Sequence, residues 1–309
     1  MTAESSANPE AVESAAYLRG VLFALCTCLL WGVLPIVSKA ALTEFSAGTI
    51  VWFRFVFAFT VLLAVLGLRK SEPLAILRHP PGPGLLAGVC LAANYFYFLR
   101  GVQFSGPSNT AILIQLAPVL VVLAGVYLFH EKLRGRQAAG MFVAVGGFVI
   151  FYLDQKQQTV APGLYSIANG HIIFAAVVWA VYATALKYLS VRYEAQSLNL
   201  LVYGVAGMML VFGVAWAEFA AANSKSWLLL VFLGLNTLLA YGALLEAIRL
   251  IPLTHVSVII TLNPLITLLV MHLIGEFKPG WIEPEVVGSL GYLGAFTAVA
   301  GVALVVVRR

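Results

Sequence analysis

The chain has 309 residues, 61% of them hydrophobic and only 10% charged. A water-soluble domain carries about 25% charged residues, so lipid has to be the solvent for most of this surface. The formal charge of +5 is too small to suggest nucleic acid, and Cys26, Cys28 and Cys90 sit inside apolar runs with neither disulfide nor zinc spacing.

Residues 1–17 are polar and acidic, with Glu4, Glu10 and Glu13, and read as a disordered cytoplasmic tail rather than a signal peptide. Ten apolar runs follow, at approximately 18–39, 48–68, 84–101, 108–129, 137–153, 168–187, 198–219, 227–250, 254–275 and 286–307. Each is close to the roughly 20 residues a helix needs to cross the hydrocarbon core. The expected fold is an all-α membrane protein of ten transmembrane helices. Turn chemistry marks the joints at His79-Pro80-Pro81-Gly82-Pro83, Ser105-Gly106-Pro107 and Lys278-Pro279-Gly280. With the N-terminus placed in the cytoplasm, 12 Lys and Arg fall on the inner side and 5 on the outer, which favours both termini inside.

The chain repeats itself. At an offset of 146, Tyr95 falls on Tyr241, Ser108 on Thr254, Gln115 on Thr261 and Pro118 on Pro264; at 148, Trp31 falls on Trp179 and Lys39 on Lys187. The expected units are a first five-helix repeat over 18–153, a linker over 154–167 and a second five-helix repeat over 168–309. Five is odd, so the second copy enters the membrane upside down. Inverted repeats of this kind place a binding site near the midplane, between the halves.

Polar groups inside membrane helices usually face the bundle interior or a water-filled cavity. Arg54, in the second span, is either an anchor for a substrate carboxylate near the outer mouth or a snorkelling structural charge. Ser108, Ala111, Gln115 and Pro118 in the fourth span, and Thr254, Ser257, Thr261 and Pro264 in the ninth, are both spaced 3, 4 and 3. That spacing makes one polar stripe on each helix, lining either a cavity or a close helix contact. Asn94 and Tyr95, Thr237 and Tyr241, and Trp31, Trp179 and Tyr182 add aromatic and polar groups suited to a small amphipathic ligand. Pro35, Pro118 and Pro264 are expected hinges or kinks. Gly140, Ala144 and Gly147, and Gly291, Gly294, Ala295 and Ala298, are small-residue packing patterns, within the bundle or between protomers. Glu246 and Arg249 are expected to pair at i,i+3.

Leu30-Trp31-Gly32 with Pro35 and Lys39, Arg54, Gly101, Pro118 followed by Glu131, and Pro264 followed by Glu276 form an ordered set. Over nearly all of residues 18–307 this set resembles the drug/metabolite transporter superfamily, in its ten-helix EamA-type branch. The resemblance implies a multi-pass carrier of the bacterial inner membrane, often an exporter of amino acids or other small metabolites; related branches carry nucleotide sugars or drugs. A channel and a lipid flippase are the alternatives. No Walker-type loop, Gly-x-Ser-x-Gly or His-Glu-x-x-His is present, which argues against ATP drive and against an intramembrane enzyme. The expected partners are a small-molecule substrate and membrane lipid, without nucleic acid, cofactor or metal; a monomer and a homodimer both fit.

Overall fold

The computed structural model describes residues 9–68, 72–130, 132–159 and 161–307, all helices and short connections. The helices are α1 (Pro9–Ala41), α2 (Ala47–Leu68), α3 (Gly82–Leu113), α4 (Leu116–Phe129), α5 (Gly135–Gln158) and α6 (Pro162–Leu189), followed by α7 (Ala195–Leu210), α8 (Trp216–Ala221), α9 (Ser224–Leu250), α10 (Leu253–Ile260), α11 (Asn263–Phe277) and α12 (Ser289–Val306). Nine stretches among the described residues are long and apolar enough to cross a bilayer, and Leu116–Leu128 is a shorter apolar helix. With the turns before it, that helix completes a tenth crossing. Only 33% to 56% of each long stretch is buried within the protein. Outward side chains such as Phe142, Leu128, Met208 and Leu293 are large and apolar, as a lipid-facing surface requires.

α3 is two helices meeting at a kink: Gly106, with φ of 83° and ψ of 170°, turns the chain back before Pro107, at the joint that Ser105-Gly106-Pro107 marks in the sequence, and the part beyond it begins the fourth crossing. The fourth crossing is itself broken at Ile114 and Gln115, and the ninth is broken at Thr261 and Leu262. The seventh span stops at a 3₁₀ turn, Val211–Gly213, and residues up to 219 belong partly to the short α8. Cys28 and Cys90 are buried as expected, but Cys26 is exposed on the helix surface.

The tertiary contacts follow the inverted repeat. α1 packs on α9 while its counterpart α6 packs on α3, the counterpart of α9. α2 packs on its own counterpart α7, and α5 on its counterpart α12. α4 and α11 end alike, in left-handed residues His130 (φ 53°) and Lys278 (φ 44°). Glu131, expected to close the fourth span, lies outside the described residues. The two copies are thus interleaved around a pseudo-two-fold axis, with the most extensive helix contacts crossing between them. Glu246 and Arg249 pair at 2.8 Å, as the spacing predicts.

The small-residue patterns of α5 and α12 pack against each other inside the bundle. A Cβ on Gly147 would stand 2.2 Å from the Ala298 nitrogen, and one on Gly301 would stand 2.2 Å from the Ala144 nitrogen. Backbones this close gain dispersion contacts along the whole crossing, the main attraction available between helices in lipid. Gly146, one residue away, has nothing within 4 Å of its missing Cβ. Gly147→Leu is therefore expected to force the helices apart and destabilise the protein by about 1–3 kcal/mol or more, lowering the melting temperature in detergent. Gly146→Leu should leave the melting temperature nearly unchanged, and equal effects of the two would contradict this packing.

Candidate functional site

Two pairs of repeat counterparts touch each other, which places them on the pseudo-two-fold axis. Tyr95 and Tyr241 bring their hydroxyls to 3.3 Å. Gln115 Nε2 donates to the Thr261 carbonyl at 3.0 Å. The second contact follows from proline chemistry. Pro118 and Pro264 carry no N–H, so the carbonyls one turn earlier lose their usual donors. The chain tightens to compensate: Gln115 N bonds Ile112 O and Ala117 N bonds Ile114 O, while Leu262 N bonds Ile259 O and Leu265 N bonds Leu262 O. Leu265 N, the α-helical donor for Thr261 O, is thereby diverted, and the Gln115 amide takes that carbonyl instead. Inside hydrocarbon a carbonyl left without a donor would be costly.

Beside this contact lies a cavity of about 160 Å³. Its walls come in repeat pairs: Trp31 with Trp179, Tyr95 with Tyr241, Ile114 with Ile260, and Ala117 with Asn263. Asn94, Gln115, Phe98, Leu34, Ala111, Pro35 and Pro118 complete the lining. Trp31 sets its edge against Tyr241, with ring centres 5.6 Å apart. The lining is aromatic and apolar with a few amides and phenols, and it contains no charged side chain.

Among the residues expected at the site, the structure gathers Trp31, Asn94, Tyr95, Gln115, Trp179 and Tyr241 around this cavity, together with Pro35 and Pro118. The others stand elsewhere. Tyr182 is buried beside Trp179, with ring centres 6.3 Å apart. Thr261 contributes its carbonyl to Gln115 and turns its hydroxyl back to Val258 O at 2.7 Å. Ser257 and Pro264 are outside the lining, and the side chain of Thr254 lies outside the described residues. Pro264 occupies the second position of α11, directly after the break. Ser108 is at the far end of its helix, where its N–H donates to Glu285.

Arg54 does not reach the outer mouth. It is 0% exposed, behind the tyrosines. Its Nε and Nη2 donate to Thr237 Oγ1 at 3.1 and 3.0 Å, and its Cζ lies 4.7 Å from the centre of the Tyr95 ring. Asn94 and Asn236 hold the paired helices together, donating to Ala175 O at 2.9 Å and Leu30 O at 2.7 Å.

Two classes of residue escaped sequence reasoning. Asn263 was legible as the counterpart of cavity residue Ala117, but its side-chain type matches nothing in the first copy. The acidic caps had no local signal at all. On the face where α1 ends, each of three helix starts receives a carboxyl group from far along the chain. Glu218 accepts from Ser46 N at 3.1 and 3.0 Å, Glu285 from Ser108 N at 3.0 Å, and Asp154 from Gly288 N at 3.0 Å. A carboxylate at a helix start satisfies free N–H groups and complements the helix dipole. Among the described residues no three His, Cys, Asp or Glu side chains are gathered to hold a metal.

Ten crossings in two inverted copies, closed around an axial cavity, are the architecture of a membrane transporter. Residues 18–153 and 167–307 match the EamA-like transporter family, and the chain belongs to it. It is 36% identical over 289 residues to an Escherichia coli K12 protein named uncharacterized inner membrane transporter YhbE, covering 91% of this chain and 89% of that one. It is 32% identical over 291 residues to an uncharacterized transporter of Haemophilus influenzae, covering 93% of this chain and 94% of that protein. A crystal structure aligns with a TM-score of 0.63 at 18% identity, covering 93% of this chain and 96% of that one, and shares the fold.

Glu285 gives the cap at Ser108 a pH signature. Its Oε1 is out of solvent with no partner, and a Cβ on Gly106 would stand 1.7 Å from it. Burial raises its carboxyl above the ordinary range, against the opposing pull of the Ser108 bond and of Lys39. A carboxyl raised on folding stabilises the protein fully below its unfolded pKa of about 4.3, and that contribution is lost as pH rises through the higher folded value. The melting-temperature difference between the wild type and Glu285→Gln should therefore shift against the wild type as pH rises from about 4. A difference flat with pH would refute it.

Proposed function

We propose that the protein is a secondary carrier of the bacterial inner membrane, with both termini cytoplasmic, that exports a small amphipathic solute such as an amino acid or a related zwitterion. The reading rests on one observation: the axial cavity is walled by counterparts from both repeats, Trp31 with Trp179 and Tyr95 with Tyr241. A site shared by inverted copies can be exposed to either side by moving one set of helices against the other. The cavity of about 160 Å³ is of the size that takes a small organic molecule, since a cavity of about 150 Å³ takes benzene. Its mixture of aromatic faces and amides suits a ligand with an apolar body and a polar end. The name of the Escherichia coli relative supports the membrane, and the 12 to 5 distribution of Lys and Arg supports the orientation.

Purified protein in liposomes loaded with labelled amino acids, nucleosides and sugars provides the test. At least one solute should cross faster than in empty vesicles, with saturation and without single-channel conductance steps. Trp31→Ala and Gln115→Ala should each slow that flux by about tenfold or more, as expected where a well-packed contact or a buried hydrogen bond is lost. Folded protein that moves none of the panel, or that conducts in unitary steps, would defeat the proposal.

A further inference from the structure

Arg54 carries a charge that no acidic side chain among the described residues pairs with. The side chain is 0% exposed. Two of its nitrogens donate to the Thr237 hydroxyl, a neutral acceptor whose own O–H donates to Leu233 O at 3.0 Å. The third nitrogen, Nη1, has no partner. The groups packed around it are phenols: Tyr95 from α3, Tyr203 from α7 and Tyr241 from α9. No acidic side chain among the described residues bonds it. A guanidinium stays protonated in a protein, and an unpaired buried charge lowers stability strongly. Stability alone does not account for this arginine, since a neutral or apolar side chain of similar volume would fit the same place at lower cost.

The placement supplies the missing part. Tyr95 stands between Arg54 and the cavity, with its ring against the guanidinium and its hydroxyl against that of Tyr241 on the axis. The two hydroxyls are 3.3 Å apart, a long and weak bond by the usual distances for this type. Swinging one phenol aside would open a path from the cavity to Nη1. The cavity lining itself holds no charge. A negatively charged solute would therefore find a single cationic pole, off to the α2 and α7 side.

We propose that the free Nη1 edge of Arg54 is the anion-binding pole of the axial cavity, reached when the Tyr95–Tyr241 pair parts, and that it takes the carboxylate of the carried solute. This rests on the carrier reading above and adds the recognition element: a free carboxylate held at Arg54, which favours carboxylate-bearing solutes over neutral or purely cationic ones. A carboxylate at Nη1 gains a charge-assisted hydrogen bond in a place without competing water. An inorganic anion such as chloride offers the same charge, and the experiment separates the two.

The test is a thermal-shift titration of the full chain in detergent, with matched pairs of a carboxylate and its primary amide: leucine with leucinamide, and phenylacetate with phenylacetamide. Each pair is run with and without chloride. The wild type should be stabilised by at least one carboxylate at concentrations about tenfold or more below those of its amide, the discrimination expected of a charged hydrogen bond. Arg54→Gln should fold with equal or higher basal melting temperature and lose that discrimination, while Arg54→Lys should keep part of it. The wild-type comparison decides the matter even if Arg54→Gln fails to fold. Equal response to acid and amide overturns the proposal, and so does a response to chloride alone. In liposomes, flux of neutral or cationic solutes unaffected by Arg54→Gln would leave the carrier reading standing and remove this one. Arg54-dependent carboxylate binding without flux of any solute would do the reverse.

Discussion

The structure depends on one constraint: no backbone carbonyl may be left without a donor inside hydrocarbon. Proline breaks that rule wherever it enters a helix, and this chain places one at the same point of each copy. Pro118 and Pro264 each force a break in a membrane crossing, and the two breaks meet on the pseudo-two-fold axis. The repair is asymmetric. One copy offers the Gln115 amide as donor, the other the Thr261 carbonyl as acceptor.

Around that contact the protein is sewn together by bonds that cross between copies. At mid-depth these are neutral: Asn94 to Ala175 O, Asn236 to Leu30 O, Thr27 to Ala240 O and Thr267 to Gly32 O. On the face where α1 ends, N–H groups at helix starts donate to the carboxyl groups of Glu218, Glu285 and Asp154. The placement obeys solvation. A carboxylate is tolerated where water and a helix dipole are near, whereas an amide bonded to a carbonyl carries no charge to desolvate. Arg54 departs from this placement, fully buried with one nitrogen unused.

α5 and α12 stand apart from this scheme. Their contact is made by Gly147, Ala144, Gly301 and Ala298, without a bridging polar side chain along its middle. Only its ends are polar, with Gln137 donating to Val305 O at 3.3 Å and Asp154 accepting from Gly288 N at 3.0 Å. Close backbone approach does there what hydrogen bonds do elsewhere in the bundle. The pair forms a scaffold beside the cavity and contributes no lining residue.

The sequence by itself determined the solvent, the number of crossings and the inverted duplication. Those follow from composition, from run length and from an ordered set of matches at a nearly fixed offset, and none of them needs coordinates. It also named Trp31, Tyr95, Gln115, Trp179 and Tyr241, because polar and aromatic groups deep in apolar runs stand out against leucine and valine. Only the tertiary structure decided which face of each broken helix meets the cavity. The break at Thr261 and Leu262 leaves Ile260 and Asn263, and not Ser257 or Thr261, in the lining. A break that changes hydrogen-bond spacing from four residues to three turned the stripe of the ninth crossing away from the cavity, while Ala111, Gln115 and Pro118 stay in the lining across the matching break of the fourth. The partners of Glu218, Glu285 and Asp154 were hidden for a different reason. Each carboxylate finds its helix start between 134 and 177 residues away, and a sequence holds no local trace of a contact made only when the second copy folds back upon the first.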